Sequence, residues 1–134
     1  MNFSELNFLA VLCATLATFV LGGIWYSPLM FKSAWLDGCG LTDMDLAEAS
    51  MPKVFALALV LSFIASFVFA VFLGPKPDLG FAVGAGFAAG IAWVATSFGI
   101  SYLFEQRPLK LFLVNGGYHT VQFTLIGLIL GLWH

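Results

Sequence analysis

Four stretches of the chain are almost wholly apolar and contain no Asp, Glu, Lys or Arg: residues 6–26, 54–73, 80–104 and 111–133. Each has about the 20 residues that a helix needs to cross the hydrocarbon core of a bilayer. A connector of residues 27–53 follows the first stretch, the turn Gly74-Pro75-Lys76-Pro77-Asp78-Leu79 the second, and a link of residues 105–110 the third. Both short links contain proline, which stops a helix and starts a turn, and short links force antiparallel neighbours. The pattern predicts one all-α transmembrane domain over residues 1–134. It is an integral membrane up-down four-helix bundle, with a short interfacial or cytosolic helical connector between the first and second spans.

Small residues mark where the spans meet, because in lipid close backbone approach replaces hydrophobic drive. The first span carries Ala10, Ala14, Thr18 and Gly22 on one line, and the second carries Ala58, Ser62, Ser66 and Ala70. At about 100° per residue, the third span has two such sides. Ala82, Gly86, Gly90, Ser97 and Ser101 fall on one, and Gly84, Ala88, Ala95 and Gly99 on the other. A helix small on both sides is central, with one face available to a second subunit, so a homo-oligomer is expected. On the fourth span Gly116, Thr120, Thr124, Gly127 and Gly131 form a packing face, and Val114, Val121, Leu125, Leu128 and Leu132 a lipid face.

The remaining face of the fourth span holds the most informative chemistry. Asn115, His119 and Gln122 lie at i, i+4 and i+7, and such groups are costly in hydrocarbon unless partnered. Two readings stand. The stripe lines a polar path with His119 as a proton-sensitive gate, or it forms hydrogen bonds between helices with Ser62, Ser66, Thr15 or Thr18. Trp93, at mid-depth of the third span, either donates its indole N–H to this network or fills space.

The connector has its own order. Trp25, Tyr26, Phe31 and Trp35 form an aromatic cluster at the end of the first span, where amphipathic rings favour the headgroup layer, with Ser27-Pro28 ending the first helix. Thr42 and Asp45 have the spacing of a capping box. Asp37, Asp43, Asp45 and Glu48 read either as a metal or partner site or as solvated carboxylates at a helix start.

Composition then excludes classes. The chain of 134 residues is 61% hydrophobic and 9% charged, too few charges for a water-facing surface. A net charge of -2 gives no basic footprint for nucleic acid. Lys32, Lys53, Arg107 and Lys110 lie on the connector side and only Lys76 on the other. Both termini are therefore expected outside the cell membrane, with connectors 27–53 and 105–110 in the cytoplasm. Glu5, and the lack of Lys or Arg before the first span, predict a retained helix rather than a cleaved leader. Cys13 and Cys39 read as free thiols. No span holds a carboxylate for proton-coupled export, and no motif for an enzyme, cofactor or metal is found. His119 and His134 stand too far apart along one helix to share a metal.

The block Leu21-Gly22-Gly23-Ile24-Trp25-Tyr26-Ser27-Pro28, with Phe31 and Trp35, resembles the opening of the membrane family filed as domain of unknown function seventeen sixty-one. Phe104-Glu105-Gln106-Arg107-Pro108-Leu109-Lys110, Asn115-Gly116-Gly117-Tyr118-His119 and Gly131-Leu132-Trp133 resemble its closing part, and Lys32 departs from it where a glycine is expected. The resemblance implies a small four-span membrane protein and brings no activity. Three functions remain open. One is a homo-oligomeric channel or passive transporter through the Asn115–His119–Gln122 stripe. The second is a non-catalytic module binding a partner membrane protein or lipid through the small-residue faces of the third span, with Gly84, Gly86, Gly90, Gly127 and Gly131 as helix-packing or oligomer-interface positions. The third is a binder of an apolar ligand among Phe-rich walls around Trp93.

Overall fold

The structure, a computed structural model, describes residues 5–133, so His134 lies outside the described residues. It consists of helices α1 (Phe8–Trp25), α2 (Lys32–Cys39), α3 (Asp43–Glu48), α4 (Met51–Leu73), α5 (Leu79–Ala88), α6 (Thr96–Glu105) and α7 (Leu109–Leu132). A π-helical segment, Ala89–Ala95, joins α5 to α6 without a break. There is no strand among the described residues.

Local chemistry sets the boundaries. Asn7 accepts from the Ala10 amide and Asp78 from the Phe81 amide, each at 3.1 Å, capping α1 and α5. Pro52 occupies the first turn of α4, where its missing N–H costs nothing. The capping box at α3 is present: Thr42 Oγ1 accepts from the Asp45 amide at 3.2 Å, and the Thr42 amide donates to Asp45 Oδ2 at 2.9 Å. Gln106, at φ 57°, turns α6 into the Pro108 start of α7.

Three helices are long and apolar enough to cross a membrane: Phe8–Trp25, Met51–Leu73 and the continuous Leu79–Glu105. α7 is as long, at 24 residues, but its amides and histidine lower its average hydropathy. It is instead the most enclosed helix, burying Leu111, Val114, Tyr118, Gln122, Ile126 and Leu130 together with three glycines. Val114 was expected on the lipid face and is buried at 5% exposure. α7 packs on α1, α2, α5, the π segment and α6, whereas α4 contacts α1 and buries only Ser66, Phe69 and Ala70. The α1 line holds as expected: Ala10, Ala14 and Thr18 are fully buried.

The seam between α7 and the third long helix fixes the architecture. A Cβ on Gly131 would meet Leu79, one on Gly127 the Ala82 carbonyl, and one on Gly86 the Phe123 carbonyl. On Gly90 it would lie 2.6 Å from Thr120 Cα, on Gly116 3.2 Å from Ala95, and on Gly99 3.1 Å from Phe112. Along α7 these contacts step by three or four residues throughout. Along the facing helix they run 79, 82, 86, 90, 95, 99, and the one step of five is the π turn. A wider turn inserts one residue into the helical register and rotates everything beyond it by about 100°.

That rotation corrects one expectation. Ala82, Gly86 and Gly90 face α7 as predicted, but Ser97 and Ser101 are exposed, and Ala95 and Gly99 take their place. Gly84 and Ala88 remain on the outside, with open space in front of Gly84. The carbonyls loosened by the π turn are satisfied by hydroxyls. Thr96 Oγ1 donates to the Ala92 oxygen at 2.7 Å, and Ser97 Oγ to the Trp93 oxygen at 2.5 Å.

Candidate functional site

The end of α1, the middle of α7 and the top of α6 converge on one cluster at the connector end of the helices. Trp25 Nε1 donates to the Val114 carbonyl at 2.9 Å. The indole fits because position 117 is glycine; a Cβ there would lie 3.1 Å from Trp25 Cζ2. Tyr118 Oη donates to the Thr18 carbonyl at 3.0 Å, lying against Gly22, whose Cβ would come within 3.3 Å of it. The ring centroids of Tyr26 and Tyr118 are 5.5 Å apart. Trp35 stands edge-on to Tyr26 at 5.2 Å, and Phe31 packs on Trp25 at 4.8 Å.

Asn115 sits at the centre of a directed chain of hydrogen bonds. Tyr26 Oη donates to Asn115 Oδ1 at 2.6 Å, and Asn115 Nδ2 donates to Tyr102 Oη at 2.7 Å. The enclosed Tyr26 hydroxyl thus spends its proton inside the protein, and the Tyr102 hydroxyl keeps its own. One turn further along α7, His119 Nδ1 lies 2.7 Å from Gln122 Oε1. With the amide in that orientation the proton resides on Nδ1. The imidazole stacks on Phe98 at 5.1 Å and 10°, and Gln122 is buried at 5% exposure.

The stripe of α7 is therefore brought together with partners other than those expected. Its hydroxyl partners are Tyr26 and Tyr102. Neither Ser62 nor Ser66 bonds to it among the described residues, and the Ser66 hydroxyl is buried without a hydrogen-bond partner. Thr15 and Thr18 donate to their own helix, at Val11 and Thr15, as short hydroxyl side chains in helices do. Trp93 is 64% exposed and stands edge-on to Phe72, away from the network, because the π turn carries it outward. Trp25 and Tyr26 direct their polar atoms into the protein, at α7, rather than into a headgroup layer. Tyr102, Tyr118 and Phe98 were not singled out; Tyr118 stood within the quoted Asn115–His119 block, while Phe98 and Tyr102 reach the site only through the shifted register.

Below the cluster the connector is held by charge. Lys110 pairs with Asp37, and Lys32 with Asp43 at 3.0 Å. A Cβ on Gly38 would lie 3.0 Å from Leu111, so α2 rests closely on α7. With Asp45 in the capping box, three of the four connector carboxylates are spent on local partners. Arg107 makes two long contacts, Nε to Glu105 at 3.5 Å and Nη1 to the Cys39 carbonyl at 3.4 Å. Burial pushes the Cys39 thiol up, and the Arg107 guanidinium offsets this only in part, so the thiol is protonated and weakly nucleophilic at neutral pH. Cys13 and Cys39 are both free. Ser27 Oγ donates to the Ile24 carbonyl at 2.6 Å. Its own carbonyl accepts from the Met30 and Lys32 amides, forming with exposed Pro28 the turn that delivers α2.

The two sequence blocks that carry the family resemblance are thus the two sides of one contact. A family model described as protein of unknown function (DUF1761) matches residues 9–131. The chain belongs to this family. No curated protein and no solved structure matches it. Within the DUF1761 chain described here, the Trp25-Tyr26 pair and the Asn115-Gly116-Gly117-Tyr118 run are complementary in shape and in hydrogen-bonding capacity. The arrangement can hold and orient, through neutral donors and acceptors packed by aromatic rings.

Proposed function

We propose that this chain is a four-span, non-catalytic membrane module that associates through an exposed helix face with another membrane protein, a second copy of itself first. In this reading α1, α4, the continuous α5–α6 helix and α7 cross the cell membrane in up-down order. Both chain ends lie on the outer side, and α2, α3 and the 105–110 link lie in the cytoplasm. The orientation rests on Lys32, Lys53, Arg107 and Lys110 lying on the connector side and Lys76 on the other.

The observation that carries the reading is how the polar stripe is spent. A transport path needs Asn115, His119 and Gln122 to face a passing solute. Asn115 is instead held by two tyrosines, one at each end of its amide, His119 is stacked on Phe98 and bonded to Gln122, and Gln122 is buried. The two tyrosine bonds to Asn115 run between helical segments, and such bonds contribute about 0.6–2 kcal/mol each in membranes. The free surface is elsewhere: Gly84 and Ala88 present an open, small-residue face on α5, the type of face that admits a second helix closely.

The test measures mass in detergent and cross-linking in liposomes. Gly84→Leu is expected to reduce the assembled protein to monomer with folding intact, and His119→Ala to leave assembly unchanged. An unchanged oligomer in Gly84→Leu, or a solute flux in liposomes that His119→Ala abolishes, would overturn the reading in favour of a pathway.

A further inference from the structure

A groove of about 480 Å³ runs between α6 and α7, and its lining includes Gly99, Tyr102, Leu103, Arg107, Leu109 and Phe112. Gly99 and the Phe112 ring packed against it both line the groove. Leu103 and Leu109 at its lips are 80% and 71% exposed. Apolar walls alone suit any hydrocarbon, but the mouth is not apolar.

Two of its lining residues carry donors. Arg107 has five N–H donors in a rigid fork and, among the described residues, uses them in two contacts at the outer limit of hydrogen bonding, 3.5 and 3.4 Å. The Tyr102 hydroxyl accepts from Asn115 at 2.7 Å and spends its own proton on no partner among the described residues. The chain Tyr26 to Asn115 to Tyr102 therefore ends on a groove-lining residue that keeps its own O–H. Lys32 and Lys110 are paired with Asp43 and Asp37, which leaves Arg107 as the cation at the groove mouth with donors to spare.

Length narrows the class of ligand. From Glu105 to Thr96, another lining residue, the helix descends about 14 Å at about 1.5 Å per residue. That is about half of a hydrocarbon core of about 30 Å, the depth that one acyl chain occupies in one leaflet. We propose that this groove is a binding site for an anionic phospholipid of the connector-side leaflet, with its phosphate on Arg107 and Tyr102 and one acyl chain along Gly99 and Phe112. Basic pockets between membrane helices on the cytoplasmic side recognise anionic headgroups in this way. The site rests on the membrane reading above but not on self-association through α5.

Native mass spectrometry of the purified full chain, offered equimolar phosphatidylglycerol and phosphatidylcholine, tests it. Wild type is expected to retain phosphatidylglycerol about fivefold over phosphatidylcholine, the gain expected from about one cationic side chain near the surface. Arg107→Gln and Leu103→Glu bring the ratio to parity, Arg107→Lys retains most of it, and Tyr102→Phe lowers it. Lys53→Gln, which removes another connector-side cation outside the groove, leaves the ratio unchanged, as does Gly84→Leu. Parity in the wild type, an equal loss in Lys53→Gln, or displacement of the lipid by millimolar inorganic phosphate alone would overturn the proposal. The last result would reduce the site to a headgroup-only anion contact.

Discussion

The seam between α7 and the third long helix is held in two different ways on the two sides of the π turn. On the α5 side, Gly86, Gly90 and Gly127 let backbone lie on backbone, with no room for a single methyl group. On the α6 side the backbones give way to side chains. Tyr102 bonds to Asn115, Phe98 stacks on His119, and the Phe112 ring lies against Gly99. One half is specified by missing volume and the other by donors and rings. The first tolerates nothing larger, and the second tolerates nothing that fails to bond.

The largest expected effect comes from breaking the tight half. Gly127→Leu drives a side chain into the Ala82 carbonyl and should cost about 3 kcal/mol or more in mixed-micelle unfolding; a loss below about 1 kcal/mol would mean the backbones are not in contact. Deleting Val94 removes the extra residue and leaves Phe98 and Tyr102 facing α7 in an ordinary helix, whereas inserting an alanine after Val94 turns both away from it. The insertion should cost about 2 kcal/mol, the sum of one membrane hydrogen bond and one ring stack, with a cysteine newly introduced in place of Tyr102 changing from slow to fast alkylation. Asn115→Leu leaves two tyrosine hydroxyls without their amide and should cost about 1 kcal/mol. The double variant with Tyr102→Phe should then cost less than the sum of the two single changes; strict additivity would show that the bond contributes nothing.

Much of this was readable in the sequence, and the exceptions have physical causes. The four apolar stretches lie within three residues of α1, α4, α5–α6 and α7, because helix length in such segments is set by runs of residues that water rejects. The Thr42–Asp45 box was legible because its partners are three residues apart. The π turn was not. Ala89-Gly90-Ile91-Ala92-Trp93-Val94-Ala95 has the composition of any apolar helix, and the strain is relieved by Thr96 and Ser97, which read as ordinary small residues. Counting at 100° per residue across that point puts Ser97 and Ser101 on the wrong face and keeps Trp93 near the polar network, whereas it is exposed. The partners of Asn115 were hidden for a different reason. Tyr26 is 89 residues away in sequence, and Tyr102, though near, reaches the site only through the shifted register. The two family blocks held the missing information, since a Trp-Tyr pair and an Asn-Gly-Gly-Tyr run fit each other in both shape and bonding.

The extra residue at the π turn acts as a vernier. It lets one continuous helix show one face to α7 along its first half and an adjacent face along its second, so the outer surface changes character at the same level. Below the turn the outside is Gly84 and Ala88, flat and small. Above it are Trp93, Ser97 and Ser101, ringed and polar. A neighbour lying along this helix therefore reads two unlike surfaces in sequence, and sliding it by one turn would mismatch both at once.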